Sequence, residues 1–337
     1  MTADLLIIGG GPAGAAAAIE AARAGLQVTL LEGEPYPREQ PGETLHPGVA
    51  PLLEQLGTDA LDYPRFSGIW TAWGSPARFR SFGGDDCGAW QGYHVWRATF
   101  DKRLLDRARE CGCTVLQPVR ALKVLGDGTQ VLTSAGVLEG CILIDASGRR
   151  EWLARQKNLL SRFESPRLLV TYSYVHGGTH GLEPLLETDA IGWTWSARVR
   201  GDMTAWIRLN WSGTPSDKRW RPGHLSHLRD SRPLRRADVT WRRREAPAGA
   251  NYFCVGDAAA ILDPTSSHGV LRAIMTGMMA AYLAARVLRQ EISPEEASNE
   301  YIRWLGAWFE HDLRSLRDLH RTLGSSIAAA RMSPMPA

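Results

Sequence analysis

Near its amino terminus the chain reads Asp4-Leu5-Leu6-Ile7-Ile8 and continues as Gly9-Gly10-Gly11-Pro12-Ala13-Gly14. The apolar run is typical of a strand that is buried on both faces of a parallel sheet. The glycines that follow fit the pattern G-x-G-x-x-G. In this pattern Gly9 allows a tight turn, Gly11 lets a pyrophosphate approach the backbone, and Gly14 lets helix and strand pack closely.

The residues after this turn complete a strand–helix–strand unit. An alanine-rich segment predicts a helix, and Pro12 and Ala13 begin its first turn, where free N–H groups would face a bound phosphate. Residues 27–31 predict the next strand, and Glu32 follows it where a carboxylate can accept a ribose hydroxyl. Because strand, turn, helix, strand and acid occur in this order, we predict a dinucleotide-binding domain rather than accidental loop glycines.

Composition excludes several broad classes of protein. The 337 residues allow one large or two intertwined domains, and a net charge of +3 gives no support for a nucleic-acid partner. The five cysteines are scattered and no signal peptide precedes the first strand, so we expect a cytoplasmic protein. Arg272 and Arg286 interrupt the most apolar helix and leave a span too short for a bilayer, so no membrane association is expected. The histidines lack metal-ligand spacing, and we predict no metal site.

Further along, helical patterns alternate with short aromatic or β-branched strand patterns. Residues 219–244 are rich in arginine and are predicted to be irregular, and the end of the chain is predicted to be a flexible tail. Predicted helices span residues 48–56, 97–110, 269–290 and 294–323. Predicted strands span residues 69–73, 77–82, 92–96, 114–116, 119–125, 131–133, 141–144, 168–175, 190–200, 204–211 and 252–255.

Three separated segments carry a family resemblance. They are the glycine turn, the run Asp145-Ala146-Ser147-Gly148-Arg149, and the stretch from Gly256-Asp257-Ala258-Ala259 to Asp263-Pro264-Thr265-Ser266-Ser267-His268-Gly269-Val270. With Gly42-Glu43-Thr44, they make residues 1–290 resemble the FAD-dependent monooxygenase superfamily of the p-hydroxybenzoate hydroxylase-type fold. The resemblance is greatest to the branch with flavin-dependent halogenases, geranylgeranyl reductases and the flavoprotein maturases of tryptophylquinone enzymes.

The resemblance implies an α/β fold with a Rossmann-like FAD-binding domain built on a parallel sheet. An interleaved antiparallel β-sheet substrate domain and C-terminal helices complete it. We expect the FAD-binding domain to be discontinuous. It would comprise residues 1–65, 97–160 and 245–325, with residues 66–96 and 161–244 in the substrate domain and residues 326–337 as the tail.

The resemblance also implies how FAD is held. Asp257 would bind the ribityl chain, and residues 264–269 would pass under the flavin, with the helix that begins near Gly269 pointing at its pyrimidine ring. A turn-capping role for Asp257 and a solvated surface position for Arg97 are the alternatives. The expected cofactor-binding residues are Gly9, Gly11, Pro12, Ala13, Gly14, Glu32, Arg97, Val119, Asp145, Gly256, Asp257, Pro264, Ser267, Gly269 and Val270.

The source of electrons is left open. Ala146 replaces the glycine that follows the aspartate in single-component aromatic hydroxylases, which puts their mode of NAD(P)H docking in doubt. No second G-x-G-x-x-G is present for a nicotinamide domain. FAD would therefore be reduced either by NAD(P)H or by a separate flavin reductase, which is a candidate partner.

Four residues are candidates for the reaction itself. Trp193 and Trp195 resemble the Trp-x-Trp element of halogenases and, two apart in a strand, would share one face of a pocket. His46 and His268 lie in or beside the flavin motifs and could move protons at neutral pH. The alternatives are plain core for the tryptophans and hydrogen bonds to loop backbone for the histidines.

Lysine decides our prediction about the reaction. Halogenases carry a catalytic lysine between the Gly-Glu motif and the family arginine, whereas no lysine precedes Lys102 here, so we expect that halide plays no part. We predict an FAD-dependent monooxygenase that hydroxylates an aromatic, indole- or tryptophan-like substrate through a flavin C4a-hydroperoxide. The resemblance to maturases suggests a protein-bound tryptophan in quinone-cofactor biogenesis. The alternatives are a small-molecule biosynthetic monooxygenase, a prenyl double-bond reductase and a non-catalytic flavin-binding accessory protein.

The hypothesis of a protein substrate leads to one more prediction. With little chain after the flavin segments, the site should be comparatively open, and a bulky polypeptide substrate would close it against water. Residues 229–244 would offer arginines to an acidic partner surface, and a solvated basic loop is the alternative. Charge reversal at Arg235, Arg236, Arg243 and Arg244 would then slow modification of the partner and leave flavin content unchanged.

Overall fold

A computed structural model of the chain describes residues 2–38, 40–58, 62–73, 76–126, 128–178 and 181–322. The predicted tail at residues 326–337 lies outside these ranges. The helices are α1 Pro12–Arg23, α2 Val49–Leu56, α3 Arg97–Glu110, α4 Trp152–Lys157, α5 Gly269–Leu288 and α6 Pro294–Thr322. The strands are β1 Ala3–Ile8, β2 Val28–Leu31, β3 Thr44–Leu45, β4 Arg65–Phe66, β5 Gly68–Trp73, β6 Arg78–Ser81, β7 Gly84–Asp85, β8 Gly88–Ala89, β9 Gly92–His94, β10 Thr114–Leu116, β11 Ala121–Leu125, β12 Gln130–Thr133, β13 Gly136–Asp145, β14 Ser161–Phe163, β15 Leu169–His176, β16 Leu185–Asp189, β17 Gly192–Arg200, β18 Met203–Asn210, β19 Arg235–Asp238, β20 Arg242–Arg244, β21 Ala248–Gly249, β22 Tyr252–Cys254 and β23 Ala260–Ile261.

A parallel sheet brings the three sequence segments to one edge. Its strand order is β10-β2-β1-β13-β12-β11, and β22 adds to β13 in parallel. The register aligns Ile8 with both Leu31 and Asp145, and Asp145 with Cys254. These residues end their strands together, so the loops that follow them open on one crevice, where ligands bind in open α/β sheets. The predicted α/β fold class is confirmed.

Helices α1 and α5 cross at very short range beside this sheet. Both are rich in small residues, and α1 is buried along most of its length. At Gly277 an added Cβ atom would lie 2.2 Å from the carbonyl oxygen of Ala13, which is closer than real side chains approach. The first turn of α1, which begins the dinucleotide motif, is therefore held in place by the backbone of α5.

This crossing predicts that Gly277→Ala destabilises the protein by about 1–3 kcal/mol, because the helices must separate to admit one methyl group. Urea unfolding of the two proteins measures the difference. Gly306→Ala in α6 is the matched control, since its Cβ would meet only the Arg243 side chain at 3.6 Å. If Gly277→Ala were as stable as this control, the close crossing would not exist in solution.

A seven-stranded sheet forms the second layer, in the order β19-β15-β18-β17-β16-β5-β6. It is antiparallel except for the pairing of β16 with β5. Strands β5 and β6 come from the early insertion, and the others from the middle of the chain. One sheet therefore combines the two sequence regions that we assigned to a substrate domain, while the domain boundaries themselves stay a prediction.

The arginine-rich region is more ordered than expected. Within residues 219–244, predicted to be irregular, β19 pairs with β15 and β20 pairs with β14 and β23. Arg242 and Arg244 both pair with the carboxylate of Glu151, and Arg243 lies 3.5 Å from Glu310. The prediction of an irregular segment is wrong for residues 235–238 and 242–244, which form strands. The alternative of a solvated basic loop is wrong for Arg242, Arg243 and Arg244, because each has a carboxylate partner inside the protein. Reversing Arg243 or Arg244 would therefore break internal ion pairs and would not test a partner surface.

Helix α5 also corrects an expectation about length. By length and composition alone it could cross a membrane, although we predicted that its arginines left too short a span. Half of its most apolar 18-residue window is buried inside the protein. The buried side includes Ile274, Leu283 and Ala284, as in the core helix of a folded domain.

Candidate active site: a cavity at the sheet edge with an aromatic wall

A cavity of about 540 Å³ opens at the carboxyl edge of the parallel sheet. Ligand pockets are commonly of this size. Expected cofactor residues that line it are Gly9, Gly11, Pro12, Ala13, Glu32, Arg97, Val119, Gly256, Asp257, Pro264, Ser267, Gly269 and Val270. Gly14 and Asp145, from the same expectation, do not line it. The cavity is therefore bounded by all three segments that carry the resemblance.

The glycine turn has the shape that a pyrophosphate requires. Gly9 has a φ of +108°, and a Cβ there would lie 2.4 Å from the carbonyl oxygen of Ala146. At Gly14 a Cβ would lie 1.9 Å from the carbonyl oxygen of Gly9. Gly14 does not line the cavity, but the absence of a side chain there allows the glycine turn to close. Gly11 precedes α1 with no side chain capping the helix. The first N–H groups of α1 are thus left for an anion in the cavity.

Glu32 lies at the end of β2, where the ribose of a dinucleotide is expected. Its carboxylate accepts hydrogen bonds from the backbone N–H groups of Gly10, at 2.9 Å, and Glu34, at 2.8 Å. Arg38 reaches the same carboxylate at 3.5 Å. These contacts fix the acid against the glycine turn, so its position does not depend on a bound sugar.

Asp145 differs from its predicted role as a cofactor residue. Its side chain is fully buried and accepts hydrogen bonds from the N–H groups of Ser147, at 3.0 Å, and Leu153, at 2.9 Å. Burial raises the pKa of this carboxyl group, while those hydrogen bonds oppose the rise. The residue shapes the loop that lines the cavity and has no face on the cavity itself.

The last strand of the parallel sheet leads directly to the second half of the cavity wall. Gly256, with a φ of +58°, donates its N–H to Thr276 Oγ1 at 2.8 Å. Asp257 follows it, lines the cavity and lies 3.1 Å from Arg149. The flavin loop, residues 263–269, then passes along the cavity to the uncapped start of α5. A second helix N-terminus therefore faces the cavity.

Arg97 is an internal residue, and its alternative as a solvated surface arginine is wrong. Its guanidinium donates to both carboxylate oxygens of Asp101, at 2.7 and 3.0 Å, and to the carbonyl oxygen of Pro41 at 2.8 Å. Beside it, Glu43 is buried and receives a hydrogen bond from the Tyr174 hydroxyl. Burial raises the pKa of Glu43, although Tyr174 and Arg97 act to lower it. Glu43 lines the cavity, and our list of site residues missed it.

The antiparallel sheet supplies an apolar and aromatic wall to the same cavity. Trp193 and Trp195 both line it, as expected for residues two apart in a strand. Trp193 is fully buried, and its indole N–H has no hydrogen-bond partner among the described residues. The rest of this wall is formed by Val170, Tyr172, Ile207, Ala237 and Val239.

The two candidate histidines lie together and do not line the cavity. Their ring centroids are 4.7 Å apart, and His46 Nδ1 accepts the N–H of Gly48 at 3.0 Å. Burial, and then the charge of His268, lower the pKa of His46 to about 4. His46 is therefore neutral at pH 7, and the alternative of a hydrogen bond to loop backbone describes its contacts. A part for either histidine in the reaction stays a prediction.

Sequence reasoning also missed several residues of the cavity wall. Arg38, Arg272 and Trp308 line it and come from loops or helices with no motif of their own, whereas Arg149 belongs to the run Asp145-Ala146-Ser147-Gly148-Arg149 and was left out of the expected residues. The sequence could have identified Glu43, because this residue is part of the Gly42-Glu43-Thr44 motif. Among the residues that the structure describes, no group of three His, Cys, Asp or Glu side chains could hold a metal ion.

Comparison with known proteins agrees with this geometry. Residues 4–155 match the family model described as FAD dependent oxidoreductase. Tryptophan 2-halogenase from Chondromyces crocatus is 27% identical over 89% of this chain, which spans 64% of that relative's length. Menaquinone reductase from Mycobacterium tuberculosis is 29% identical over 84% of this chain and 76% of its own length.

A solved structure shows the same fold. The myxobacterial chondrochloren halogenase CndH superimposes with a TM-score of 0.85 and 21% identity, covering 99% of this chain and 86% of that one. At this identity the likeness concerns the fold alone. Together with the family match, it agrees with the cavity described above. Residues 4–155 therefore resemble the FAD dependent oxidoreductase family, halogenases are among the relatives of the chain, and the cofactor that these similarities indicate is FAD.

Proposed function

We propose that this protein is an enzyme that uses FAD and O2 to transfer oxygen to an electron-rich aromatic ring of the indole type. The observation that carries the proposal is the continuity of one cavity. It joins the glycine turn at Gly11 to the wall that contains Trp193 and Trp195. An aromatic compound against that wall would lie in the same enclosed space as the cofactor.

When bound and reduced, FAD supplies the electrons and the activation of oxygen. The residues of the chain bind and orient it. The start of α1 offers N–H groups to the pyrophosphate, and Glu32 and Asp257 offer carboxylates to the ribose and the ribityl chain. The start of α5 directs its positive end at the cavity, where it would stabilise negative charge on the reduced ring.

The antiparallel sheet would bind the substrate. Tyr172 and Trp195 offer partly exposed aromatic rings, Trp193 packs beside them, and their apolar neighbours would exclude water from the reacting groups. Glu43 lines the same cavity, and burial raises the pKa of its carboxyl group above that of a solvated glutamate. The Tyr174 hydroxyl donates a hydrogen bond to this carboxyl group and fixes its orientation. Residues 66–96 and 161–244 would then form the substrate domain, because both contribute strands to this sheet.

Halogenation of an aromatic ring is the second candidate. It is favoured by the relatives, since tryptophan 2-halogenase is among them. Against it stands the chemistry of the cavity, because none of the four lysines lies among its described lining residues. In halogenases the lysine is a catalytic residue, so oxygen transfer without halide is our first candidate.

The test is an assay with FAD reduced either by NAD(P)H directly or by an added flavin reductase, run in air and, in a parallel arm, without oxygen. The panel contains tryptophan, indoles, pyrroles, tryptophan-containing peptides and a prenylated quinone, with and without bromide. We expect an aromatic product heavier by one or two oxygen atoms, formed without halide. A brominated product would establish halogenation instead. Turnover of the prenylated quinone without oxygen would make the enzyme a reductase, and a flavoprotein inert in every arm would be an accessory protein.

A further inference from the structure

The C-terminal helix α6 directs three side chains at the cofactor side of the molecule. Trp308, Asp312 and His320 are spaced by four and eight residues, which places them along one side of a helix. Trp308 lines the FAD cavity. The other two contact opposite ends of the flavin loop, so α6 touches the cofactor site at three points.

His320 holds the beginning of the flavin loop. Its Nε2 atom lies 3.2 Å from the Asp263 carboxylate, and both side chains are fully buried. Asp263 in turn accepts hydrogen bonds from the N–H of Thr265, at 2.9 Å, and from its hydroxyl, at 2.7 Å. Although burial opposes it, the bond from His320 helps to keep the pKa of Asp263 below its usual value. A buried carboxylate requires such partners, so the loop's first turn depends on α6.

Asp312 holds the end of the loop. Its carboxylate lies 2.8 Å from Arg272 Nε and 3.6 Å from His268 Nδ1. Arg272 lines the cavity one turn into α5, and its guanidinium stacks on the Trp308 ring at 5.4 Å. The negative charge of Asp312 therefore lies behind the positive end of α5 and balances Arg272.

We propose that α6 is a clamp that positions the flavin loop, with Asp312 and His320 as positioning residues that set the affinity and the reduction potential of FAD. The proposal rests on FAD occupying this cavity and is independent of the substrate. Its electrostatic basis is simple, because reduction adds negative charge to the flavin beside the start of α5 and Arg272. Asp312 opposes that stabilisation, and His320 fixes the loop through which it acts.

The charge effect is tested with Asp312→Asn in the FAD-bound protein. Removing this carboxylate weakens the compensation of the Arg272 charge, on which Asp257 also acts, so reduced FAD should bind about 10-fold more tightly relative to oxidised FAD. For a two-electron couple this is a rise in midpoint potential of about 30 mV. Equilibration with redox dyes measures it. Asp318→Asn is the matched control, since Asp318 lies on the same helix but is exposed and pairs with Arg321 at 2.6 Å.

The loop effect is tested with two replacements of His320, with the dissociation constant of FAD as the readout. His320→Leu removes one of the hydrogen-bond partners of Asp263 and should weaken FAD binding at least about 10-fold. His320→Gln retains an N–H donor of similar reach and should restore most of the affinity. If His320→Leu does not fold, the midpoint potential of FAD in the Asp312→Asn protein decides whether α6 acts as the proposed clamp.

The clamp is overturned if Asp312→Asn shifts the potential no more than Asp318→Asn does. It is also overturned if folded His320→Leu and His320→Gln bind FAD as tightly as the unchanged protein. Its failure differs from failure of the proposed function. An enzyme that shows both shifts but modifies no aromatic compound would support the clamp and contradict oxygen transfer.

Discussion

Gly11→Leu is expected to give a folded protein that has lost its FAD. Gly11 has an extended backbone that other residues can adopt, and a Cβ there would meet only Arg38 Nη2, at 3.3 Å. Fold and stability should therefore change little. A leucine side chain would enter the cavity at the start of α1, where we expect the pyrophosphate to bind. We expect FAD to bind at least about 100-fold more weakly, which corresponds to about 2.7 kcal/mol.

The measurement is the flavin absorbance of the purified protein, followed by titration of the apoprotein with FAD. Gly223→Leu is the matched control, because Gly223 is exposed and has no atoms within 4 Å of an added Cβ. This control should stay yellow. Gly14→Ala should behave differently from both, since its Cβ would collide with backbone at 1.9 Å and disturb the fold itself. A Gly11→Leu protein with full FAD content would contradict our assignment of the pyrophosphate site.

The sequence predicted which segments meet at the cavity, for a physical reason. In a parallel sheet, the loops after neighbouring strands open at the same edge, so a motif after each strand fixes their meeting point. Gly9, Asp257 and Gly269 are far apart in the chain, and all three line the cavity. Local sequence also specifies backbone demands such as the positive φ of Gly9.

Other parts of the site depend on tertiary contacts that no local pattern encodes. Asp145 ends a strand and Asp257 follows one, yet the Asp145 carboxylate turns inward to the N–H of Leu153. The arginines of β20 resemble a solvated run, and only the packed structure pairs them with Glu151. Asp312 and His320 belong to an ordinary amphipathic helix, and their role depends on how α6 packs. Pair contacts of this kind became visible only with the fold.

Trp195→Ala is expected to abolish efficient turnover while leaving FAD in place. Trp195 lines the cavity and is only partly buried, so the sheet should tolerate its loss. Trp193 is unsuitable for this test, because it is fully buried and its truncation would cost about 3–5 kcal/mol of stability. Without the Trp195 ring an aromatic substrate loses its stacking surface and its orientation. We expect kcat/KM to fall at least about 100-fold, or about 2.7 kcal/mol.

The two interpretations of Trp195 give opposite results. As part of a substrate wall, its loss should also admit water, so that O2 is consumed with less product formed per molecule. As plain core, its loss should lower the melting temperature and leave kcat/KM of the folded fraction unchanged. Trp90→Ala is the control, because Trp90 is 48% exposed and does not line the cavity. We expect FAD to bind to other parts of the cavity. Unchanged FAD affinity with a lower ratio of product to O2 would therefore identify the aromatic wall as the substrate side.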